Sequence, residues 1–168
     1  MQTTNNLKFT AEEGIKIINK WGQNIDIFSA TSHPDKTVAV AEFVAKHYLE
    51  HAVILPTVSP ITRVGFTDIH DYFCDFLSRN PKLIFTIDNA DSVQVTLSSE
   101  AGGVMCGYYG FLINGKVLDA RYCMQFQYLT EEKTSLVLVD GREIKVHQQP
   151  GWYIVMKHSS WCPVVTNN

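Results

Sequence analysis

Gly151-Trp152-Tyr153-Ile154-Val155-Met156-Lys157-His158-Ser159-Ser160 reads as a β-strand close to the end of the chain. Side chains alternate across a pleated strand. Trp152, Ile154, Met156 and His158 are therefore expected on one face, and Tyr153, Val155, Lys157 and Ser159 on the other. Both faces are apolar from Tyr153 to Met156, which predicts neighbours on each side of the strand and not an exposed edge. An imidazole and two hydroxyls then close the run. At the mouth of an apolar sheet these are the groups a pocket uses to orient a polar ligand.

Working back from this stretch, Val104 to Ile113 and Leu118 to Tyr128 are rich in β-branched and aromatic residues. Asn114-Gly115 between them is a strong hairpin signal, because both residues accept positive φ. Asp140-Gly141 joins Leu136–Val139 to Glu143–Val146 in the same way, and Leu83–Ile87 and Ser92–Leu97 read as two further strands. The first half of the chain is helical in pattern. Thr10-Ala-Glu-Glu13 has the form of a capping box, followed by Ile15, Ile18 and Trp21 at helical spacing, with Gly22 expected to end or bend the helix. Ser32-His-Pro-Asp35 looks like a second helix start, with Val40, Phe43, Val44 and Tyr48 on one face. Ala52–Leu55 reads as a short buried strand stopped by Pro56. Thr67-Asp68 is expected to cap a third helix whose Ile69, Tyr72, Phe73, Phe76 and Leu77 form an amphipathic stripe, ended by Asn80-Pro81. Helices first and a run of antiparallel strands afterwards predict an α+β fold, with the helices on one face of a curved sheet. Without internal repeats or a linker, residues 1–168 read as one domain with a loose start at residues 1–8.

The composition is that of a globular domain, with 45% hydrophobic and 18% charged residues. A net charge of -3 gives no general attraction to phosphate backbones, so nucleic acid is not an expected partner. No apolar run approaches the ~20 residues of a membrane span, and the N-terminus lacks the basic and apolar parts of a signal peptide, which predicts a cytoplasmic protein without membrane contact. The four cysteines lack a C-x-x-C pair and read as free thiols, with Cys106 and Cys123 in strands that can face each other.

Phosphate-binding, dinucleotide-binding and zincin motifs are missing. His47 and His51 have metal-ligand spacing but no third ligand nearby, so a solvated helix face is the expected reading and no metal or cofactor is assigned. Ser159 and Ser160 beside His158 lack a nucleophile elbow and point to opposite faces. Arg121 shares a strand face with Cys123, Gln125 and Gln127. It is either salt-bridged, to Asp119, Asp88 or a partner subunit, or it clamps a ligand anion with its planar fork.

Leu55-Pro-Thr-Val-Ser59, Ile69-x-x-Tyr-Phe73 with Phe76-Leu77, Asn80-Pro81, Ala120-Arg-Tyr122 and His158-Ser-Ser160 with Pro163 occur in an order that resembles a known family. It is that of small bacterial proteins related to the association domain of calcium/calmodulin-dependent protein kinase II, within the nuclear-transport-factor-2-like (cystatin-like) superfamily. The resemblance covers roughly residues 10–163. It implies a cone-shaped half-barrel, a strongly bent antiparallel sheet with helices over its concave face and a pocket between, and pairing of subunits through the outer face of the sheet. It also implies that Arg121 and His158 line the pocket, with Trp21 and Tyr72 as aromatic walls. Tyr122 and Ser160, from the same motifs, complete the candidate ligand-binding set. Two departures stand out. Lys157-His158 replaces the family's usual pair of histidines, and residues 130–149 form an inserted hairpin where the family has a short turn.

These readings converge on a homodimer, or larger self-assembly, that binds a small anionic or polar-aromatic molecule. Two alternatives remain open. One is a small enzyme of the polyketide cyclase or ketosteroid isomerase type, with Asp26, Asp68, Asp71 and His158 as available bases and no catalytic residue assigned. The other is an assembly domain with a vestigial pocket.

Overall fold

A computed structural model of the chain describes residues 8–85, 94–98 and 102–161. The expected loose N-terminus falls mostly outside these residues, as do Ile87, Asp88, Ser92, Cys162 and Pro163. In chain order the elements are helices α1 (Ala11–Ala30) and α2 (Lys36–His47), strands β1 (Tyr48–Leu55) and β2 (Arg63–Val64), and helix α3 (Gly65–Ser78). Strands β3 (Lys82–Phe85), β4 (Gln94–Ser98), β5 (Gly102–Ile113), β6 (Lys116–Leu129), β7 (Lys133–Val139), β8 (Arg142–Gln148) and β9 (Gly151–Trp161) follow.

Helix starts follow their side-chain chemistry. Thr10 accepts the Glu13 amide at 3.2 Å to open α1, and Asp35 accepts the Val38 amide at 3.1 Å to open α2. The third start differs from expectation. Val64 is the N-cap, Gly65 turns the chain at φ 77°, and Asp68 reaches back to accept the Val64 amide at 3.1 Å. Helix α1 also runs through Gly22 without ending. A Cβ at Gly22 would lie 2.4 Å from Leu83 Cδ2, so this glycine lets the helix pack closely on β3.

Among the described residues seven strands form one sheet in the order β2-β1-β9-β6-β5-β3, with β4 also paired to β5. The sheet is mixed, because β1 runs parallel to β9 while the other pairs are antiparallel. Strand β1 starts at Tyr48, four residues before the apolar run that signals it. Both Asx-Gly turns form as expected, with Asn114, Gly115, Asp140 and Gly141 all at φ between 50° and 75°. The architecture is α+β, a strongly curved sheet with helices packed over its concave face. The core is where the two meet: Trp21 and Ile25 of α1, Phe73 and Leu77 of α3, and Met105, Met124, Phe126 and Ile154 of the sheet. Burying a side chain such as Phe126 contributes roughly 2–3 kcal/mol. No helix among the described residues is long and apolar enough to cross a membrane.

The inserted hairpin β7–β8 is a separate two-stranded sheet, and it is no loose appendage. Val137, Ile144 and Val146 are buried in the core, and the Gln148 side-chain amide donates to the carbonyls of Ala45 and Tyr48 at 2.8 and 2.9 Å. The hairpin thereby seals the junction where α2 passes into β1.

Candidate functional site

Strand β9 decides what faces the inside of the cone. Gln125 pairs with Met156, but Phe126 pairs with Ile154, so Val155 is an extra residue that bulges out of the ladder. One inserted residue inverts the phase of every side chain beyond it. Ile154, Lys157 and Ser159 consequently face the helices, while Met156, His158 and Ser160 face outward with Arg121 and Cys123.

The inner chamber between α1, α3 and the sheet has a volume of about 30 Å³. Trp21, Tyr72 and Phe76 bound it on the helix side, and Tyr109, Phe111, Lys157 and Ser159 on the sheet side. Among the described residues, Lys157 is the one cation lining it, and no carboxylate lines it. The Lys157 Nζ sits 3.7 Å over the Trp21 ring and 5.5 Å from the centre of the Tyr109 ring. Among the described residues no ion pair involves Lys157. Burial therefore acts alone on it, lowering its pKa from 10.5 to about 7. Beside it the Tyr109 and Ser159 hydroxyls are hydrogen-bonded to each other. Burial raises the Tyr109 phenol to about 12, with the Ser159 contact opposing the rise, so it stays protonated near neutrality. Trp21 is held in place by donating Nε1–H to the Tyr48 hydroxyl at 3.1 Å.

Thr57, Val58, Ile113 and Leu118 line both this chamber and a wider outer groove of about 630 Å³. The groove adds Pro60, Lys116, Trp161 and Arg79, the last ion-paired to Asp75 at 2.5 Å. The two spaces together form a narrow, mostly apolar chamber holding Lys157 beneath a broad vestibule with Lys116 at its rim.

The structure brings together only part of the expected set. Trp21 and Tyr72 line the chamber. Tyr122 faces inward but lies behind Tyr109, stacked at 5.4 Å, and its buried hydroxyl has no partner among the described residues. Arg121, His158 and Ser160 do not share the cavity. Arg121 is exposed on the outer face, where its Nε donates to Ser160 Oγ at 2.9 Å, and His158 stands exposed opposite Cys123. The candidate carboxylates are engaged elsewhere: Asp26 accepts the Leu83 amide at 2.7 Å, Asp68 caps α3, and Asp71 pairs with Arg63 at 2.6 Å. His47 is not on a solvated face either. It is buried, accepts a hydrogen bond from Asn24 at 2.9 Å, and burial lowers its pKa to about 3. Lys157, Ser159 and Tyr109 were absent from the expected site. The one sequence signal for Lys157 is its place in a histidine pair of the resembled family.

Neither the protein-family models nor the curated proteins yield a match to the sequence. Solved structures do. A protein from Xanthomonas campestris assigned as a calcium/calmodulin dependent protein kinase II association domain is 26% identical, with a TM-score of 0.59 over 94% of this chain and 91% of that one. A nuclear-transport-factor-2-like design is 13% identical, with a TM-score of 0.48 over 90% of this chain and all of the other. The epoxide hydrolase/cyclase-like enzyme SalBIII of pyran ring formation in salinomycin is 12% identical, with a TM-score of 0.44 over 90% and 92% of the two chains.

Proposed function

We propose that the chain is a homodimeric small-molecule-binding protein of the nuclear-transport-factor-2-like superfamily, whose ligand presents an anionic or polar-aromatic head group to Lys157. The observation that carries this reading is a buried amine lining an apolar chamber with no acidic partner for it among the described residues. An ammonium in such a place is costly until an anion enters, so binding and protonation reinforce one another. The Tyr109–Ser159 hydroxyls supply the remaining polar contacts, and the vestibule accommodates the body of the ligand. The small chamber favours a head group of a few atoms, such as a carboxylate.

Pairing is supported by the outer face of the sheet. Leu55, Val64 and Tyr108 are exposed there at 40, 57 and 63%, with Cys106, Cys123 and Met156 among them, a surface expected to be covered by a second copy. The association-domain assignment of the Xanthomonas protein is in keeping with this. Light scattering at micromolar concentration is expected to give the mass of a dimer, and a monomer would overturn that part. For the ligand, NMR of protein carrying isotope-labelled lysine is expected to show Lys157 titrating near pH 7 and rising on addition of millimolar acetate or benzoate. A Lys157 signal indifferent to both anions would overturn the reading of the chamber.

A further inference from the structure

Anion recognition leaves one property of Lys157 unused, its nucleophilicity. An exposed lysine holds its lone pair in only about one molecule in three thousand at neutral pH, whereas a pKa of about 7 leaves near half of the Lys157 amines unprotonated. We propose that Lys157 condenses with the carbonyl carbon of a small aldehyde or ketone to form an imine within the chamber. This rests on the reading of the chamber as the ligand site.

The geometry supplies each requirement of that reaction. The amine has a cavity wall position, and among the described residues no carboxylate lies there to hold it as a cation. The nitrogen lone pair attacks the carbonyl carbon, a C–N bond forms, and the carbonyl π electrons move to oxygen. That oxygen takes up a proton from the Tyr109–Ser159 hydroxyl pair, giving a carbinolamine. Nitrogen then returns its surplus proton to the same pair, which passes a proton on to the carbinolamine hydroxyl. The C–O bond breaks as the nitrogen lone pair forms the C=N bond, water departs towards the vestibule, and a solvent proton entering from there restores the hydroxyl pair. The product is a protonated imine, a cation placed over the Trp21 ring where the ammonium stood at 3.7 Å. No oxidant or second substrate is needed. The chamber of about 30 Å³ selects an unbranched head, while Lys116 in the vestibule favours an anionic far end.

The test uses the folded wild-type chain at pH 7, treated with limiting propanal and cyanoborohydride, which reduces an imine to a stable secondary amine. Peptide mass mapping is expected to find Lys157 alkylated at least tenfold faster than any other lysine, and millimolar benzoate is expected to suppress that modification selectively. Alkylation of exposed lysines with an unmodified Lys157 peptide would overturn the proposal. If benzoate still moves the Lys157 NMR signals, only the imine chemistry fails. If benzoate leaves them unmoved as well, the chamber reading fails with it.

Discussion

Lys157→Met measures what the buried amine costs the fold. With its pKa at about 7 against an ordinary 10.5, folding at pH 7 works against the amine's preference for a proton by roughly 4 kcal/mol, at 1.36 kcal/mol per pH unit. Methionine has similar length, needs no proton, and still packs on Trp21, while the cation–π contact it forfeits is worth about 1–2 kcal/mol. The variant is therefore expected to be about 2–3 kcal/mol more stable at pH 7, or roughly 4–12 °C higher in Tm for a chain of this size. The pH dependence provides the sharper check. Between pH 7 and 10.5 the unfolded chain carries a proton that the folded chain has released, so wild-type stability rises with pH across that window. Below about pH 7 both states are protonated and the dependence fades. Urea titrations are expected to give about 1.5 kcal/mol more stability at pH 8.5 than at pH 7 for the wild type and no such gain for the Met variant. Stopping at pH 8.5 stays below 9, the ordinary thiol value. Above it Cys106, raised to about 11, loses its proton later in the folded chain and draws stability down. A flat wild-type profile, or a Met variant less stable than wild type at pH 7, would refute the argument.

The other predictions concern the frame around the chamber. Gln148→Leu deprives two buried carbonyls of their donor and is expected to cost about 2 kcal/mol by urea denaturation, and replacing residues 131–148 by a short turn is expected to abolish cooperative unfolding. A Cβ at Gly107 would lie 2.7 Å from the Tyr122 hydroxyl oxygen and 2.9 Å from its Cζ, in a ring held by stacking on Tyr109, so Gly107→Ala is expected to lose about 1–3 kcal/mol in thermal unfolding. His47, lowered from 6.5 to about 3, stays neutral in the folded chain while the unfolded chain takes up a proton below pH 6.5; stability is expected to fall by roughly 2 kcal/mol between pH 6.5 and 5, with the His47 ring signal unchanged by NMR over that range.

Much of the frame was legible in the chain. Asn114-Gly115 and Asp140-Gly141 name their turns because the required positive φ is a local demand. The stripe from Ile69 to Leu77 names its helix because one face is apolar and the other is not. The parallel pairing of β1 with β9 was not legible, since residues so far apart in sequence meet only through the fold. The burial of the inserted hairpin was missed for a related reason. A short two-stranded pattern looks the same whether it stands in solvent or, like β7–β8, closes a helix–strand junction.

The site turned on a single residue. By itself the stretch from Gly151 to Ser160 determined that there is a strand, that it is flanked on both sides, and that polar groups end it. It did not determine which of those groups face the cone. Trp152, Ile154 and Met156 are as apolar as Tyr153 and Val155, so no hydrophobic contrast reported the phase of the alternation or marked a break in it. The bulge at Val155 is set by the register of β6, where Gln125 and Phe126 fix Met156 to one face and Ile154 to the other. Tertiary pairing thus turned Lys157 inward onto Trp21 and His158 outward beside Arg121, because side-chain direction in a strand depends on the partner ladder as well as on the strand's own residues.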